Sequence, residues 1–215
     1  MNTMSNLEKG IDAFESEDYA EALRLLLPLA EEGNAQAQCS VGCMYDFGFG
    51  VEANVAKAIK WYRQAASQGH PVAQYNLGVV YHFRENNLEE AIKWYRQAAE
   101  QGFPFAQDAL GEMYANGMGA NKDETEAVKW YRKAAERGFL FACQNLGEMY
   151  AQGRGVGKDE EQAVKWYRLA AQQNYVLSQK VLEKAYSEGL LGLPRDPEKA
   201  KYWFNKANAN KILSQ

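Results

Sequence analysis

The nonapeptide AIKWYRQAA occupies residues 58–66 and occurs again, unchanged, at residues 91–99. Near copies are AVKWYRKAA at 127–135, AVKWYRLAA at 163–171 and AKYWFNKAN at 200–208. Each copy contains one of the five tryptophans, which are spaced 33, 36, 36 and 37 residues apart. This period is typical of proteins that stack pairs of helices, because a single pair cannot bury its own apolar face. The spacing therefore indicates a repeat protein.

A second block of sequence keeps the same period as the nonapeptide. It reads AQAQCSVGCMY from residue 35, VAQYNLGVVY from 72, FAQDALGEMY from 105, FACQNLGEMY from 141 and LSQKVLEKAY from 177. Both blocks show the apolar spacing of an amphipathic helix. In the first nonapeptide the apolar stripe comprises Ala58, Trp61, Tyr62, Ala65 and Ala66. The opposite side carries Lys60, Arg63 and Gln64, which we expect to face solvent.

Glycine and proline mark the boundaries of these helices. Gly69, Gly102 and Gly138 follow the nonapeptide helices, where a left-handed residue is favoured, and Pro71 and Pro104 then begin the next helices. Gly111 lies on an apolar stripe, so we expect a neighbouring helix to approach it closely. The second repeat shortens the connection between its helices to FRENNLEEA, which predicts a tighter turn there.

The combined pattern resembles the SEL-one-like repeat family, whose repeats are relatives of the tetratricopeptide repeat. The pattern is Ala-x-x-x-Leu-Gly-x-Met-Tyr, then Gly-x-Gly-Val, then Ala-x-x-Trp-Tyr-x-x-Ala-Ala, and one unit carries all of it in register. Its residues are Ala142, Leu146, Gly147, Met149, Tyr150, Gly153, Gly155, Val156, Ala163, Trp166, Tyr167, Ala170 and Ala171. The resemblance implies a right-handed α-solenoid whose first helices line a concave groove. Family members mostly act as adaptors that assemble protein complexes, often in signalling or host interaction.

We therefore predict an all-α chain, a right-handed α-solenoid of about six antiparallel helical hairpins that forms one continuous domain. The predicted segments are an N-terminal hairpin resembling a tetratricopeptide cap at 1–34, repeats at 35–70, 71–103 (shortened), 104–139 and 140–175, and a divergent C-terminal repeat and cap at 176–215.

Composition excludes several classes of function. The 215 residues are 47% hydrophobic and 24% charged, as in a soluble folded protein, and no apolar run is long enough to cross a membrane. The net charge of −4 provides no basic surface for nucleic acid. Cys39, Cys43 and Cys143 show no repeating spacing, which favours a reducing compartment, and no secretory signal is visible at the start. We expect a cytoplasmic protein; a periplasmic or secreted one is the alternative if a signal was removed.

Three patterns suggest chemistry, and each has a structural alternative. Trp-Tyr-Arg places aromatic rings beside a basic group, as a cofactor site can, but its recurrence on a buried stripe favours a core role. Gly-x-Gly at 48–50, 117–119 and 153–155 lacks the strand and lysine of a phosphate loop, so turns are favoured. Cys39 and Cys43 share a helix face, but a zinc site needs four ligands, and His70 and His82 are the only histidines. We expect no enzyme, cofactor or metal.

The partner-binding candidates are the first-helix positions that the tetratricopeptide alignment directs into the groove. They form three rows: Cys39, Tyr75, Asp108 and Gln144; Cys43, Val79, Glu112 and Glu148; and Phe47, Phe83, Asn116 and Gln152. Apolar residues also recur near the helix starts, at Val72, Phe105, Phe141 and Leu177. These rows predict an acidic groove with aromatic anchors, suited to a basic, partly apolar segment of a partner protein. The alternative is that the phenylalanines pack between helices and the carboxylates are merely solvated.

Two classes of function fit this pattern. One is a non-catalytic scaffold, monomeric, that binds a peptide or helix in its groove. The other is an architectural protein that assembles through its ends with itself or another solenoid. The last hairpin favours the first class, because it becomes polar after Trp203, as a terminal cap does.

Overall fold

The structure, a computed structural model, describes the backbone of residues 4–212 and the side chains of residues 4–209. The first three residues of the predicted segment 1–34 and the last three of 176–215 lie outside the described residues. The described chain is all-α and forms six consecutive hairpins, as predicted. Its helices are α1 (Asn6–Glu15), α2 (Tyr19–Glu31), α3 (Ala35–Phe47), α4 (Val55–Ser67), α5 (Pro71–Phe83), α6 (Leu88–Glu100), α7 (Pro104–Asn116), α8 (Glu124–Glu136), α9 (Leu140–Gln152), α10 (Glu160–Gln172), α11 (Val176–Glu188) and α12 (Pro197–Ile212).

Side-chain caps and backbone geometry define the helix boundaries. The second helices of the middle hairpins begin after Asn54, Asn87, Asp123 and Asp159, each of which accepts a hydrogen bond from the backbone N–H three residues later. Such a cap contributes about 1 kcal/mol to stability. Pro71 and Pro104 are the first residues of α5 and α7, as predicted.

The chain divides into two compact units at Phe103. Unit 1, Met1–Phe103, contains α1 to α6, and unit 2, Pro104–Gln215, contains α7 to α12. Within each unit every helix packs against the next one along the chain. We refer to the first helix of each hairpin as helix A and to the second as helix B.

Each middle hairpin is closed by a contact between a glycine of helix A and a tyrosine of helix B. A Cβ atom added to Gly111 would lie 2.7 Å from the ring of Tyr131, and one added to Gly147 would lie 2.8 Å from the ring of Tyr167. The same contact pairs Gly42 with Tyr62 and Gly78 with Tyr95. The expected close approach at Gly111 is confirmed, and the tyrosine of Trp-Tyr-Arg is a packing residue.

The tryptophans are less uniform than their repetition suggests. In unit 2, Trp130, Trp166 and Trp203 are buried, with 5%, 8% and 7% of their surface exposed. In unit 1, Trp61 and Trp94 are only half-buried. The core role predicted for this position is therefore complete in unit 2 and partial in unit 1.

The arginine of Trp-Tyr-Arg links one hairpin to the next. Arg132 Nη2 donates to the Tyr150 hydroxyl at 2.7 Å, and Arg168 Nη2 donates to the Tyr186 hydroxyl at 2.6 Å. Arg63 makes the equivalent bond to Tyr81 in unit 1. The expectation that this arginine is merely solvated is wrong, because its guanidinium group reaches the helix A that follows 18 residues later.

A buried row of helix A residues makes a second link between hairpins. Gln38, Gln74 and Gln179 each donate an Nε2 hydrogen bond to a carbonyl near the end of the preceding helix B, at 3.0, 3.1 and 2.9 Å. Cys143 occupies this position in α9, and its Sγ lies 3.7 Å from the carbonyl oxygen of Ala135. Each of these carbonyls also accepts a backbone hydrogen bond from the turn that ends helix B. The side chain therefore adds a second hydrogen bond at this helix end and ties it to the next hairpin.

The connections within hairpins follow the sequence prediction. Residues 48–54, 117–123 and 153–159 connect their helices, whereas the second repeat uses only residues 84–87. Gly155 has φ +64°, and a Cβ there would lie 2.1 Å from the carbonyl oxygen of Glu124. The glycines of this Gly-x-Gly segment therefore serve a turn, as predicted, and Gly155 also allows a close backbone approach that the sequence did not indicate.

Candidate functional site

A solvent-open cleft of about 340 Å³ lies between α7 and α9 in unit 2. We call it the acidic cleft. Its lining comprises Asp108, Glu112, Ala115, Asn116, Tyr131, Phe141, Asn145, Glu148, Met149, Arg154 and Tyr175. Four predicted groove residues are thus brought together, namely Asp108, Glu112, Asn116 and Glu148.

The helical repeat places the carboxylates. Asp108 and Glu112 are one turn apart on α7, so both project from the same face. Glu148 occupies on α9 the position that Glu112 occupies on α7, because the repeat separates them by 36 residues. Tyr131 reaches the cleft from α8, where its ring packs on Gly111. Helix A thus supplies the charge, and helix B supplies part of the wall.

Two of the three carboxylates of the cleft accept hydrogen bonds from neutral donors. Asn145 Nδ2 donates to Asp108 Oδ1 at 3.0 Å, and Gln152 Nε2 donates to Glu148 Oε1 at 3.0 Å. The cation at the rim, Arg154, is occupied elsewhere, since its Nε donates to Glu124 Oε1 at 2.9 Å. Among the side chains that the structure describes, none forms an ion pair with a cleft carboxylate. The cleft therefore carries uncompensated negative charge.

Burial changes the acidity of Asp108. Its partly buried position raises the pKa of the carboxyl group from 3.8 to about 7, the Asn145 hydrogen bond opposes this rise, and the nearby charge of Glu112 adds to it. Burial likewise raises the pKa of the Tyr131 hydroxyl, so this group stays neutral. The charge of the cleft consequently changes near neutral pH.

A row of aromatic rings borders the cleft, and we call it the aromatic ridge. It consists of Phe105, Phe139, Phe141 and Tyr175, whose successive ring centroids are 4.6, 5.4 and 5.3 Å apart. Phe105 and Phe141 nevertheless leave 46% and 49% of their surface exposed. The rings thus pack against each other, as the alternative of phenylalanines packed between helices predicted. They also present an exposed apolar surface, as the prediction of aromatic anchors requires.

The two remaining unit 2 candidates lie outside the cleft lining. Gln144 Oε1 accepts a hydrogen bond of 2.6 Å from Ser178, which joins α9 to α11. Gln152 is exposed and acts on the cleft only through its bond to Glu148.

The unit 1 candidates have mixed surroundings. Cys39 is only 5% exposed, and burial raises the pKa of its thiol to about 12. The prediction that Cys39 faces the groove is therefore corrected, because this position of α3 is covered by neighbouring helices. Cys43, Tyr75 and Val79 are half-buried.

Two unit 1 phenylalanines are the most exposed of the apolar candidates. Phe47 is 58% exposed and stacks on Phe49 with ring centroids 5.5 Å apart. Phe83 is 71% exposed and stacks on His82 at 4.0 Å.

Sequence reasoning missed Tyr131, Asn145, Arg154 and Tyr175 as cleft residues. It considered only one face of helix A, whereas the cleft also takes side chains from α8 and from the segments adjoining α9 and α11. The sequence did contain a signal for Asn145, because this residue directly follows Gln144, which belongs to the same row as Asp108. Nothing in the sequence pattern distinguished Arg154 from an ordinary loop residue.

Two features are absent from the described residues. They contain no group of three or more His, Cys, Asp or Glu side chains arranged to hold a metal ion. None of the helices in the described part of the chain is both long and apolar enough to span a membrane.

Over residues 4–212, twelve helices form six consecutive hairpins, and side chains link hairpins within each unit; this arrangement defines an α-solenoid repeat protein. The model of the Sel1 repeat matches residues 6–34, 35–70, 71–103, 104–139, 140–175 and 184–211, so the chain belongs to the Sel1 repeat family. The first hairpin, which the sequence likened to a tetratricopeptide cap, is included in this match.

Solved structures and a human protein are similar to the chain. A Sel1 repeat protein from Oxalobacter formigenes is 37% identical, with a TM-score of 0.87 over 95% of this chain and 85% of that one. A protective antigen of uropathogenic Escherichia coli strains, displaying an SLR fold, is 36% identical with a TM-score of 0.87; the match covers 95% of this chain and 45% of that one. The human protein sel-1 homolog 2 is 38% identical over 86 residues, which are 38% of this chain and 12% of the human protein.

Proposed function

We propose that the chain is a non-catalytic scaffold that binds a basic, partly apolar segment of a partner protein on the helix A surface of unit 2. Sel1 repeat proteins commonly mediate protein interactions, which supports the general function. The acidic cleft supports the choice of surface, because none of its carboxylates forms an ion pair with a described side chain and Arg154 at its rim is paired with Glu124. The neighbouring aromatic ridge offers apolar contacts that a partner can cover.

The surroundings of the two histidines support a non-catalytic function. His70 caps α5, where its Nδ1 accepts a hydrogen bond from the Ala73 backbone at 3.2 Å. His82 stacks on the ring of Phe83 and makes an edge contact with the ring of Tyr95. Both imidazoles thus have structural contacts, and neither lines the acidic cleft.

The function is tested by selecting peptides from a random display library on the full chain. The selected peptides are then titrated against the wild type and against a variant with Glu112→Lys and Glu148→Lys. We expect the affinity to fall by about tenfold or more in the variant, because the attractive charge becomes repulsive, and to weaken with added salt in the wild type. Circular dichroism checks that the helicity is unchanged.

A matched control carries the same change of charge on another surface. Glu136 and Glu161 are exposed residues of α8 and α10 outside the cleft. Replacing both by Lys should leave the affinity nearly unchanged. Equal losses in the two double variants, or no loss in either, would contradict binding at the acidic cleft.

Assembly through the ends is the second candidate, favoured by the surface of α12. Tyr202 and Phe204 are 50% and 55% exposed there, although the sequence suggested a polar cap. Sedimentation of the full chain over a range of concentrations distinguishes the candidates. Groove binding predicts a monomer throughout, whereas end assembly predicts oligomers that Phe204→Ser disrupts.

A reducing compartment fits the cysteines, and we propose a cytoplasmic location on this basis. Cys39, Cys43 and Cys143 are free thiols in the structure. Fractionation of the native host, with antibody against the chain, tests this location.

A further inference from the structure

The acidic cleft has room for one long side chain and a lining that selects its charge. Asp108 and Glu112 project from α7, and Glu148 projects from α9 on the other side of the same 340 Å³ space. The hydrogen bonds from the Asn145 and Gln152 side-chain amides engage one oxygen of Asp108 and one of Glu148. The second oxygen of each carboxylate therefore remains as an acceptor. A group with several N–H donors and a positive charge complements this arrangement.

The wall of the cleft is aromatic on the side where the ridge passes. Phe141 and Tyr175 both line the cleft, and their ring centroids are 5.3 Å apart. A guanidinium group is planar, is weakly hydrated and stacks on aromatic faces, whereas a lysine ammonium is a compact, strongly hydrated charge. The combination of carboxylates with an exposed ring therefore suits arginine better than lysine.

The surface beside the cleft continues as an apolar strip. Phe105 lies on the same ridge and is 46% exposed, and Leu177, one residue into α11 from its start, is 54% exposed. A segment whose arginine enters the cleft would place its neighbouring side chains over this strip. An aromatic or aliphatic neighbour would cover apolar surface that otherwise faces water.

We propose that the acidic cleft of unit 2 binds an arginine side chain of a partner peptide, while the aromatic ridge binds an apolar side chain next to that arginine. This inference rests on the proposed function and specifies the residue that the site recognises. The arginine forms charge-assisted hydrogen bonds with Asp108 and Glu148, and Phe141 contacts its stem or its guanidinium plane.

The cleft also makes this recognition dependent on pH. The pKa of Asp108 is raised to about 7 by burial, so a bound cation must favour loss of its proton. Binding should therefore release a proton near neutral pH and strengthen as the pH rises from about 6 to about 8. The charged and titratable groups around Asp108 are Glu112 on α7, Tyr131 on α8, Cys143 and Glu148 on α9, Arg154 after α9 and Tyr175 before α11.

The test titrates the full chain, labelled with nitrogen-15, with N-acetyl-Phe-Arg-amide and follows the backbone amide signals. We expect shifts centred on residues 108, 112, 145 and 148. N-acetyl-Phe-citrulline-amide, which has the same shape without the charge, should bind about tenfold more weakly. The Ala-Arg and Phe-Lys dipeptides and free arginine should each bind several-fold more weakly. Asp108→Asn should abolish the pH dependence in this range.

Equal binding of the citrulline or lysine dipeptide would overturn recognition of the guanidinium group. Equal binding of free arginine would contradict the proposal that the recognised arginine belongs to a peptide. Signal shifts remote from the cleft would contradict the cleft as the binding site. The display selection separates these failures from failure of the proposed function. Selected peptides that lose affinity on Glu112→Lys with Glu148→Lys but contain no essential arginine would refute this inference and leave the scaffold function supported. A selection that yields no binder would contradict both.

Discussion

Units 1 and 2 use the same helix A positions for different surface chemistry. The position of Asp108 in unit 2 is occupied in unit 1 by Cys39 and Tyr75, and that of Glu112 by Cys43 and Val79. The thiols remain neutral because burial raises the pKa of both Cys39 and Cys43. Unit 1 thus has only uncharged side chains at the two rows to which unit 2 contributes Asp108, Glu112 and Glu148.

The units also treat a helix A carboxylate differently. Asp46, buried on α3 of unit 1, has Arg84 Nη2 at 3.6 Å, from the shortened connection after α5. The cleft carboxylates of unit 2 receive neutral amides instead. The Gly–Tyr and Arg–Tyr contacts recur in both units, whereas the charge of the rows does not. Packing and surface charge therefore vary separately in this fold.

The largest expected effect tests the difference in tryptophan burial. Trp130 is 5% exposed in unit 2, and replacing it by Ala should lower the free energy of unfolding by about 3–5 kcal/mol, because a large buried ring is lost. Trp61→Ala in unit 1 is the matched control. It should cost less, since that side chain is less completely buried. Urea unfolding followed by circular dichroism measures both, and equal losses would remove this distinction between the units.

An intermediate effect concerns the pH dependence of stability in unit 2. The folded pKa of Asp108 is about 7 against an ordinary 3.8, so between these values the folded state retains a proton that the unfolded state releases. Its contribution to the unfolding free energy therefore falls as the pH rises from about 4 to about 7 and is constant above that. Asp108→Asn removes this pH-dependent fall in the unfolding free energy and keeps an oxygen that accepts the hydrogen bond from Asn145.

We expect Asp108→Asn to match the wild type near pH 4 and to be more stable by about 2 kcal/mol near pH 8. This value is about half of the full conversion of the shift, because the group is only partly buried. Urea unfolding across this pH range measures it. Glu112→Gln removes a neighbouring charge that adds to the rise of the Asp108 pKa, so the fall in stability between pH 4 and pH 7 should become smaller in this variant. A pH-independent difference between Asp108→Asn and wild type would show that the carboxyl group titrates normally.

The smallest effect tests the buried row that links the hairpins. In α11, the side-chain amide of Gln179 donates a hydrogen bond of 2.9 Å to the preceding helix B. Cys143→Gln places the same amide at the equivalent position of α9, and it should raise the free energy of unfolding by about 1 kcal/mol. The reciprocal change, Gln179→Cys, should lower stability by a similar amount. Thermal unfolding of the two variants is the measurement. A destabilised Cys143→Gln would mean that unit 2 is packed too tightly at this position for the larger side chain.

The fold could be predicted in some detail because its signals in the sequence are local and repeated. The period of the tryptophans, the glycines after helix B and the prolines that begin α5 and α7 all correspond to observed boundaries. Gly111 was recognised as a contact point because a glycine on an apolar stripe leaves room for a side chain from the neighbouring helix. The shortened connection at 84–87 followed directly from the length of the second repeat.

The candidate site was predicted less completely, because its residues meet only after neighbouring helices pack. Periodicity identified the rows of Asp108 and Glu148, but it did not indicate that Tyr131 forms a wall or that Asn145 bonds Asp108. The role of Arg132 was missed for a similar reason. Its position on the polar side of α8 suggested solvent, and its partner Tyr150 lies in another hairpin.

The Arg–Tyr links have a consequence for how chains of this kind can change in length. Each link joins a donor in one hairpin to an acceptor in the following hairpin, as Arg132 does with Tyr150 and Arg168 with Tyr186. A duplication of one whole repeat therefore adds one donor together with one acceptor and leaves the existing pairs matched. A duplication of a single helix would add an arginine donor without a tyrosine acceptor, or an acceptor without a donor. Growth and shortening by complete hairpins thus preserve the interior of the protein, while the exposed rows on each added hairpin are free to acquire a different charge.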